Sequence, residues 1–330
     1  MARKSIGPMW VFASLLLASC GGTGTRTASH GTLGNSGVTG ASSQRDYPGA
    51  DLGLPAVAPG FVRYETQPVA VGAGEDGMWA EWVAPPLESD MDVVEVTGLQ
   101  SKGGHHALLY ATTNIQPVGT SRTWQDGDQL TARTAGGIGG EGDDAIQLPP
   151  GVVFRIPKGS ALLIQSHYLN ANNDTIEGRS VLDVKLAPAD PSAQVAGLLA
   201  STTLKISIPP DATTVTDVSC TLQKDLRVLM YANHMHNWGV SASTELISAD
   251  GTSTPLKLDP AWDPSWAFHP NYTRFTLQTP ALLPAGSTIH TTCTWSNNKT
   301  TALSFPDEMC VFAGFYIGES DATCVDGNWQ

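Results

Sequence analysis

The chain is 330 residues long and 41% apolar, enough for two domains of ordinary size, each with its own core. Only 15% of residues are charged, beside 34 glycines and 22 prolines, a balance foreign to helical bundles and coiled coils. Eighteen basic against 31 acidic residues give a net charge of −13, and no basic cluster exists, so nucleic acid is excluded as a partner class.

Residues 1–19 read as a targeting signal that stands outside the fold. Arg3 and Lys4 form a short positive start, and Met9 to Leu17 is an apolar run too short to span a bilayer. Leu17-Ala18-Ser19-Cys20 resembles the lipobox of bacterial lipoproteins, in which the cysteine becomes the lipidated N-terminus. That resemblance implies an exported protein of a bacterial cell envelope, held on a membrane surface by acyl chains at Cys20. An ordinary secretory signal with an incidental Cys20 is the other reading. Residues 20–57 then serve as a tether, because a Gly-, Ser- and Thr-rich stretch buries too little surface to offset its ordering entropy.

The folded part begins near residue 58 and reads as short strands separated by turns. Strands are predicted over Asp90–Val96, Ala161–Leu169, Val181–Leu186 and Asp225–His234 from their length and β-branched content. The clusters Gly136–Gly140, Pro149–Gly151 and Asn170–Asp174 read as turns or loops between strands. No window keeps a helical period over twelve or more residues. Pro188–Ser192 is a proline-containing break, which divides the folded chain into 58–190 and 193–330. The predicted class is all-β: two antiparallel, jelly-roll-like β-sandwich domains.

Apart from Cys20, the cysteines are Cys220, Cys293, Cys310 and Cys324, all in the last third of the chain. An even number in an exported protein implies two disulfides, with three pairings open. The region from 50 to 219 has no cysteine and holds together by packing alone.

Five of the eight histidines fall in three tight groups: His105-His106, His167, and His234-Met235-His236. On a strand, alternate side chains share a face, so His234 and His236 can offer ring nitrogens to one metal. Imidazole suits Cu, Zn, Fe and Ni alike, so this spacing does not choose the metal. Adjacent His105 and His106 point to opposite faces of a regular strand. Shared ligation by them requires a bulge, a strand end or a sharp turn, which Gly103 and Gly104 can provide. Taken alone, His167 reads as a hydrogen-bonded structural histidine and Met309 as a core methionine.

Taken in order, these groups and Met309-Cys310 resemble the copper type II, ascorbate-dependent monooxygenases, the family of peptidylglycine α-hydroxylating monooxygenase and dopamine β-monooxygenase. The resemblance covers most of residues 95–325. It implies two coppers per chain, an electron-transfer copper on His105, His106 and His167 and a catalytic copper on His234, His236 and Met309. A thioether favours Cu(I), and imidazoles tolerate cycling between the two copper states. It also implies bridges Cys220–Cys324 and Cys293–Cys310, and a place for Gln165 beside the first copper. The implied reaction is hydroxylation of a C–H bond of a small molecule by O2, with ascorbate or another one-electron reductant. One oxygen atom enters the substrate and the other leaves as water.

The departures from the pattern narrow the substrate. Peptide-amidating members resemble one another in holding a substrate carboxylate with an Arg two residues before the His-x-His and a Tyr four after the Met. Here those positions are Ala232 and Ala313, so peptidylglycine is a poor candidate. Trp262, Trp266 and His269 are candidates to line the substrate cleft, the alternative being aromatic residues that pack a loop. Two other function classes remain: a copper-binding or copper-delivery surface lipoprotein without turnover, and a β-sandwich adhesion module with incidental histidines.

Overall fold

The four predicted strands all form, at Met91–Gln100, Ala161–Leu169, Ser180–Pro188 and Leu226–His234. They belong to a computed structural model that describes residues 52–330, apart from 126, 129–130, 141–143 and 171. The targeting signal, Cys20 and residues 21–51 of the expected tether lie outside the described residues. Among the described residues there is no α-helix; a 3-10 turn at Pro264–Ala267 is capped by the Asp263 side chain.

Burial explains the sequence patterns. Ala161–Leu169 is buried almost throughout, Gln165, Ser166 and His167 included, because it lies inside a six-stranded sheet and both of its faces are covered. Ala212–Thr221 instead alternates, with Val218 and Cys220 turned inward and Thr213, Val215, Asp217, Ser219 and Thr221 facing out. The six-stranded sheet packs on part of an eleven-stranded sheet, and a four-stranded sheet holding Ala212–Thr221 belongs to the second half of the chain.

The eleven-stranded sheet runs through both halves. Val152–Ile156 pairs in parallel with Gln194–Thr202, Val152 opposite Gln194 and Val153 opposite Val195. The largest core follows the same path, combining Leu109, Ile138, Phe154 and Leu182 with Leu229, Met230 and Phe315. A second core gathers Met235, Trp262, Trp295 and all four described cysteines. These pair as Cys220–Cys324 and Cys293–Cys310, the connectivity that the family resemblance implies.

One expectation is corrected. Gly136–Gly140 is not a loop between strands, because Ala132–Gly139 is a strand hydrogen-bonded to the Gly104–Thr112 strand. Its glycines answer to lack of space. A Cβ on Gly137 would stand 2.7 Å from the Ala107 carbonyl oxygen, and one on Gly139 would collide with the Phe268 carbonyl. Gly136 adds a backbone turn at φ 130°, where the ladder shifts register between Leu109 and Tyr110.

Candidate metal centre

His105 and His106 lie near the start of the Gly104–Thr112 strand, beside the Ala161–Leu169 strand. His106 pairs with His167, whereas Tyr168 pairs with Gly104, so His105 is the extra residue of a bulge. This is the distortion that adjacent histidines need to serve one site. The His105 ring lies 5.1 Å from that of His106 and 4.7 Å from that of His167, stacked at 13° on the latter.

The second pair sits at a strand end. His234 closes the Leu226–His234 strand, Met235 turns into the second core, and His236 follows, its ring 5.2 Å from that of His234. Trp262 Nε1 donates to the His236 carbonyl at 3.0 Å. Glu308, fully buried, accepts from the His236 amide at 2.9 Å, the Trp238 amide at 2.6 Å and Trp295 Nε1 at 2.8 Å. Met309 follows Glu308, and Cys310, bonded to Cys293, fixes the backbone on its other side.

The five rings form one cluster. The Nε2 atoms of His105 and His236 are 3.1 Å apart, and the His105 ring is 5.3 Å from that of His234. Two trios, His105/His106/His167 and His105/His234/His236, each offer nitrogens within 4.8 Å of one another. Sequence reading kept two ligand sets apart; in the structure they meet through His105.

Hydrogen bonds aim the rings. His167 Nε2 donates to Asp76 at 2.6 Å, which directs its Nδ1 the other way, and that Nδ1 is buried without a partner. His106 Nε2 donates to Gln165 Oε1 at 3.3 Å. His236 Nδ1 donates to the Asp307 carbonyl at 3.1 Å, leaving Nε2 toward the cluster. The Nδ1 of His105 is likewise buried and unpartnered. Burial, reinforced by neighbouring imidazoles, pushes His106 down to about 3 and His236 down to about 4. Burial alone takes His167 to about 3, and His105 and His234 also fall well below the ordinary histidine value. All five are therefore neutral at pH 7, with lone pairs available. Orphaned ring nitrogens among neutral imidazoles, with a thioether close by, fit a soft, imidazole-preferring metal such as copper.

A cavity of about 270 Å³ opens beside the cluster, lined by His105, His106, His234 and Met309 and otherwise mainly by apolar side chains. Ala232 and Ala313, directly opposite each other in the sheet, both line it. Of the aromatic loop, Trp262 and Trp266 pack the second core, whereas Ala267, Phe268 and Pro270 reach the cavity and the Phe268 ring lies 5.1 Å from that of His105. His269 is exposed and does not line it. Sequence reasoning missed Asp76, Glu308 and Phe268 as parts of the site. Only Glu308, next to Met309, carried a signal, since Asp76 and His167 are brought together by long-range strand pairing.

Residues 192–326 match the family model "Copper type II ascorbate-dependent monooxygenase, C-terminal domain". That span contains His234, His236, Met309 and all four disulfide cysteines. A copper-dependent oxidoreductase of monooxygenase type is thereby supported as the general function. No curated protein matches the chain. Among solved structures, the infectious bursal disease virus Gt strain is 10% identical, covering 83% of this chain and 77% of its own, with a TM-score of 0.17. The VP2 subviral particle of that virus is 11% identical over 82% and 75% of the two chains, with a TM-score of 0.20. At such scores neither carries an argument about this protein.

Proposed function

We propose that this protein hydroxylates a C–H bond of a small organic molecule, using copper, O2 and ascorbate or another one-electron reductant. The observation that carries the reading is the clustering of five neutral imidazoles, three of which line an apolar cavity together with the Met309 thioether. The family match over 192–326 supplies independent support. Copper bound by imidazole and thioether would supply one-electron chemistry toward dioxygen.

In this reading, His105, His106 and His167 hold an electron-transfer copper and His234, His236 and Met309 a catalytic copper, two per chain. Asp76 and Gln165 keep protons on the Nε2 atoms of His167 and His106, so that Nδ1 is the ligating atom. The Asp307 carbonyl does the converse for His236. Glu308 and the Cys293–Cys310 bridge fix the backbone on either side of Met309, which matters because a weak thioether ligand is useful only in a fixed position. The apolar walls exclude water from the reacting end. A copper carrier would need the ligands but not the cavity, and this favours the enzyme. Export and anchoring through Cys20 belong to the same reading, supported by the charged start, the apolar run and the Leu-Ala-Ser-Cys sequence.

The test is a copper count after production in an oxidising compartment, followed by oxygen uptake. Two coppers per chain, falling to one in a His234→Ala/His236→Ala variant, with ascorbate-dependent oxygen uptake in the parent, are expected. A parent that binds no copper, or binds it without ascorbate-dependent uptake, overturns the enzyme reading.

A further inference from the structure

The cavity beside the histidines has a charge pattern of its own. Among the described residues, no carboxylate lines it. Leu108, Ile138, Ala232, Val311, Ala313 and Phe315 make its walls apolar. Among the described residues its single permanent cation is Arg274.

Arg274 is placed by the sheet. On the short strand Thr273–Arg274 it pairs with Met230 of the Leu226–His234 strand. Cross-strand partners lie on one face, and so do residues two apart along a strand. Arg274, Met230, Ala232 and His234 therefore form a row on the cavity side, and Arg274 Nη1 sits 3.5 Å from Met230 Sδ. Four residues of strand separate Met230 from His234, about 13 Å. The guanidinium is exposed, stacks at 5.1 Å on Tyr272, and donates from Nη1 to the Gln147 carbonyl at 3.2 Å. No acidic partner pairs with it among the described residues.

We propose that the cavity takes an apolar molecule ending in one carboxylate, with Arg274 holding the carboxylate and the apolar body reaching the histidines. The proposal rests on the monooxygenase reading for what happens at the far end, but not for binding. A guanidinium fork matches a carboxylate in charge and geometry. An amine would meet no acidic partner among the described lining residues and would lose its hydration uncompensated. Next to His234 the wall positions Ala232 and Ala313 offer a carboxylate no side-chain donor. The volume of about 270 Å³ lies just below the range of drug-sized pockets and suits a compact or medium-chain molecule.

The experiment titrates octanoate, 1-octanol and octylamine into the full chain, metal-free and copper-loaded, by calorimetry. Octanoate is expected to bind best and octylamine worst. Arg274→Gln is expected to weaken octanoate about tenfold while leaving 1-octanol within about twofold, with Arg274→Lys recovering part of the loss. Unchanged 1-octanol binding shows that the variant is folded. Ala232→Trp, which fills the cavity, is expected to abolish binding of both octanoate and 1-octanol. No octanoate binding, octylamine binding as tightly as octanoate, or octanoate affinity indifferent to Arg274→Gln or Ala232→Trp overturns the proposal. Absence of ascorbate-dependent oxygen uptake alongside the expected affinities would overturn the monooxygenase reading and leave the carboxylate site standing.

Discussion

The two histidine trios are held by different means. His106 and His167 sit on neighbouring strands inside a sheet, and side chains, Gln165 and Asp76, aim their rings. His236 sits beyond a strand end, where a sheet offers no register, and backbone groups do the aiming. The Asp307 carbonyl orients its ring, Glu308 and Trp262 hold its own amide and carbonyl, and a disulfide pins the segment after Met309. A ligand on a regular strand needs only its ring oriented, whereas one on a turn needs its backbone fixed as well. His105, shared by both trios, is where the two designs meet.

The largest expected effect tests what the trios have in common, their neutral rings. A histidine whose folded value is depressed stabilises the fold above its unfolded value near 6.5 and loses that contribution as pH falls toward the folded value. With His106 and His167 at about 3 and His236 at about 4, stability of the metal-free protein is expected to fall steeply from pH 6.5 to 4. Asp76 and Glu308, each raised by burial to about 7, act oppositely and cost stability as pH rises from about 4.5 to 7. Five rings outweigh two carboxyls, so the urea midpoint is expected to be lower at pH 4 than at pH 7. A flat profile would contradict the burial of the rings.

Next comes the shared ligand. His105→Ala is expected to remove the first copper and to weaken the second, which its ring borders, whereas His167→Ala removes the first and spares the second; elemental analysis with a chelator titration distinguishes them. Equal losses would show that His105 serves one trio only. Third is the backbone clamp. Glu308→Ala strands three buried donors and is expected to cost about 3 kcal/mol in denaturant unfolding, with the second trio's copper lost before the first's. The smallest effects fall on the side-chain clamps. Asp76→Ala is expected to weaken copper at the first trio about 10–100-fold, and Gln165→Ala, with its longer bond, by less. Competition with a copper chelator measures both, and a larger effect from Gln165 would reverse the assignment.

Much of this was legible in the residues. Four of the strands announced themselves through length and β-branched content, and the histidine groups through spacing. The bulge that lets His105 and His106 serve together was foreshadowed by Gly103 and Gly104. The glycines at 136–140 misled, because a glycine required by close packing inside a sheet looks in sequence like one required by a turn. Trp262 and Trp266 were ambiguous for a similar reason, since an aromatic side chain packs a core and lines a cleft equally well.

The sequence by itself determined the all-β class and the identity and order of the histidine groups. These follow from composition, short-range periodicity and the order of a few chemically distinctive side chains. With the resemblance that those groups carry, it also led to the right disulfide pairing. Only the tertiary structure decided that the histidine groups come together at His105, that Asp76 aims His167, and that Arg274 stands on the same face as His234. Each of those facts joins residues tens to more than a hundred positions apart. Which strands become neighbours is set by burial of their apolar faces across the whole chain, and no local window of sequence contains that information.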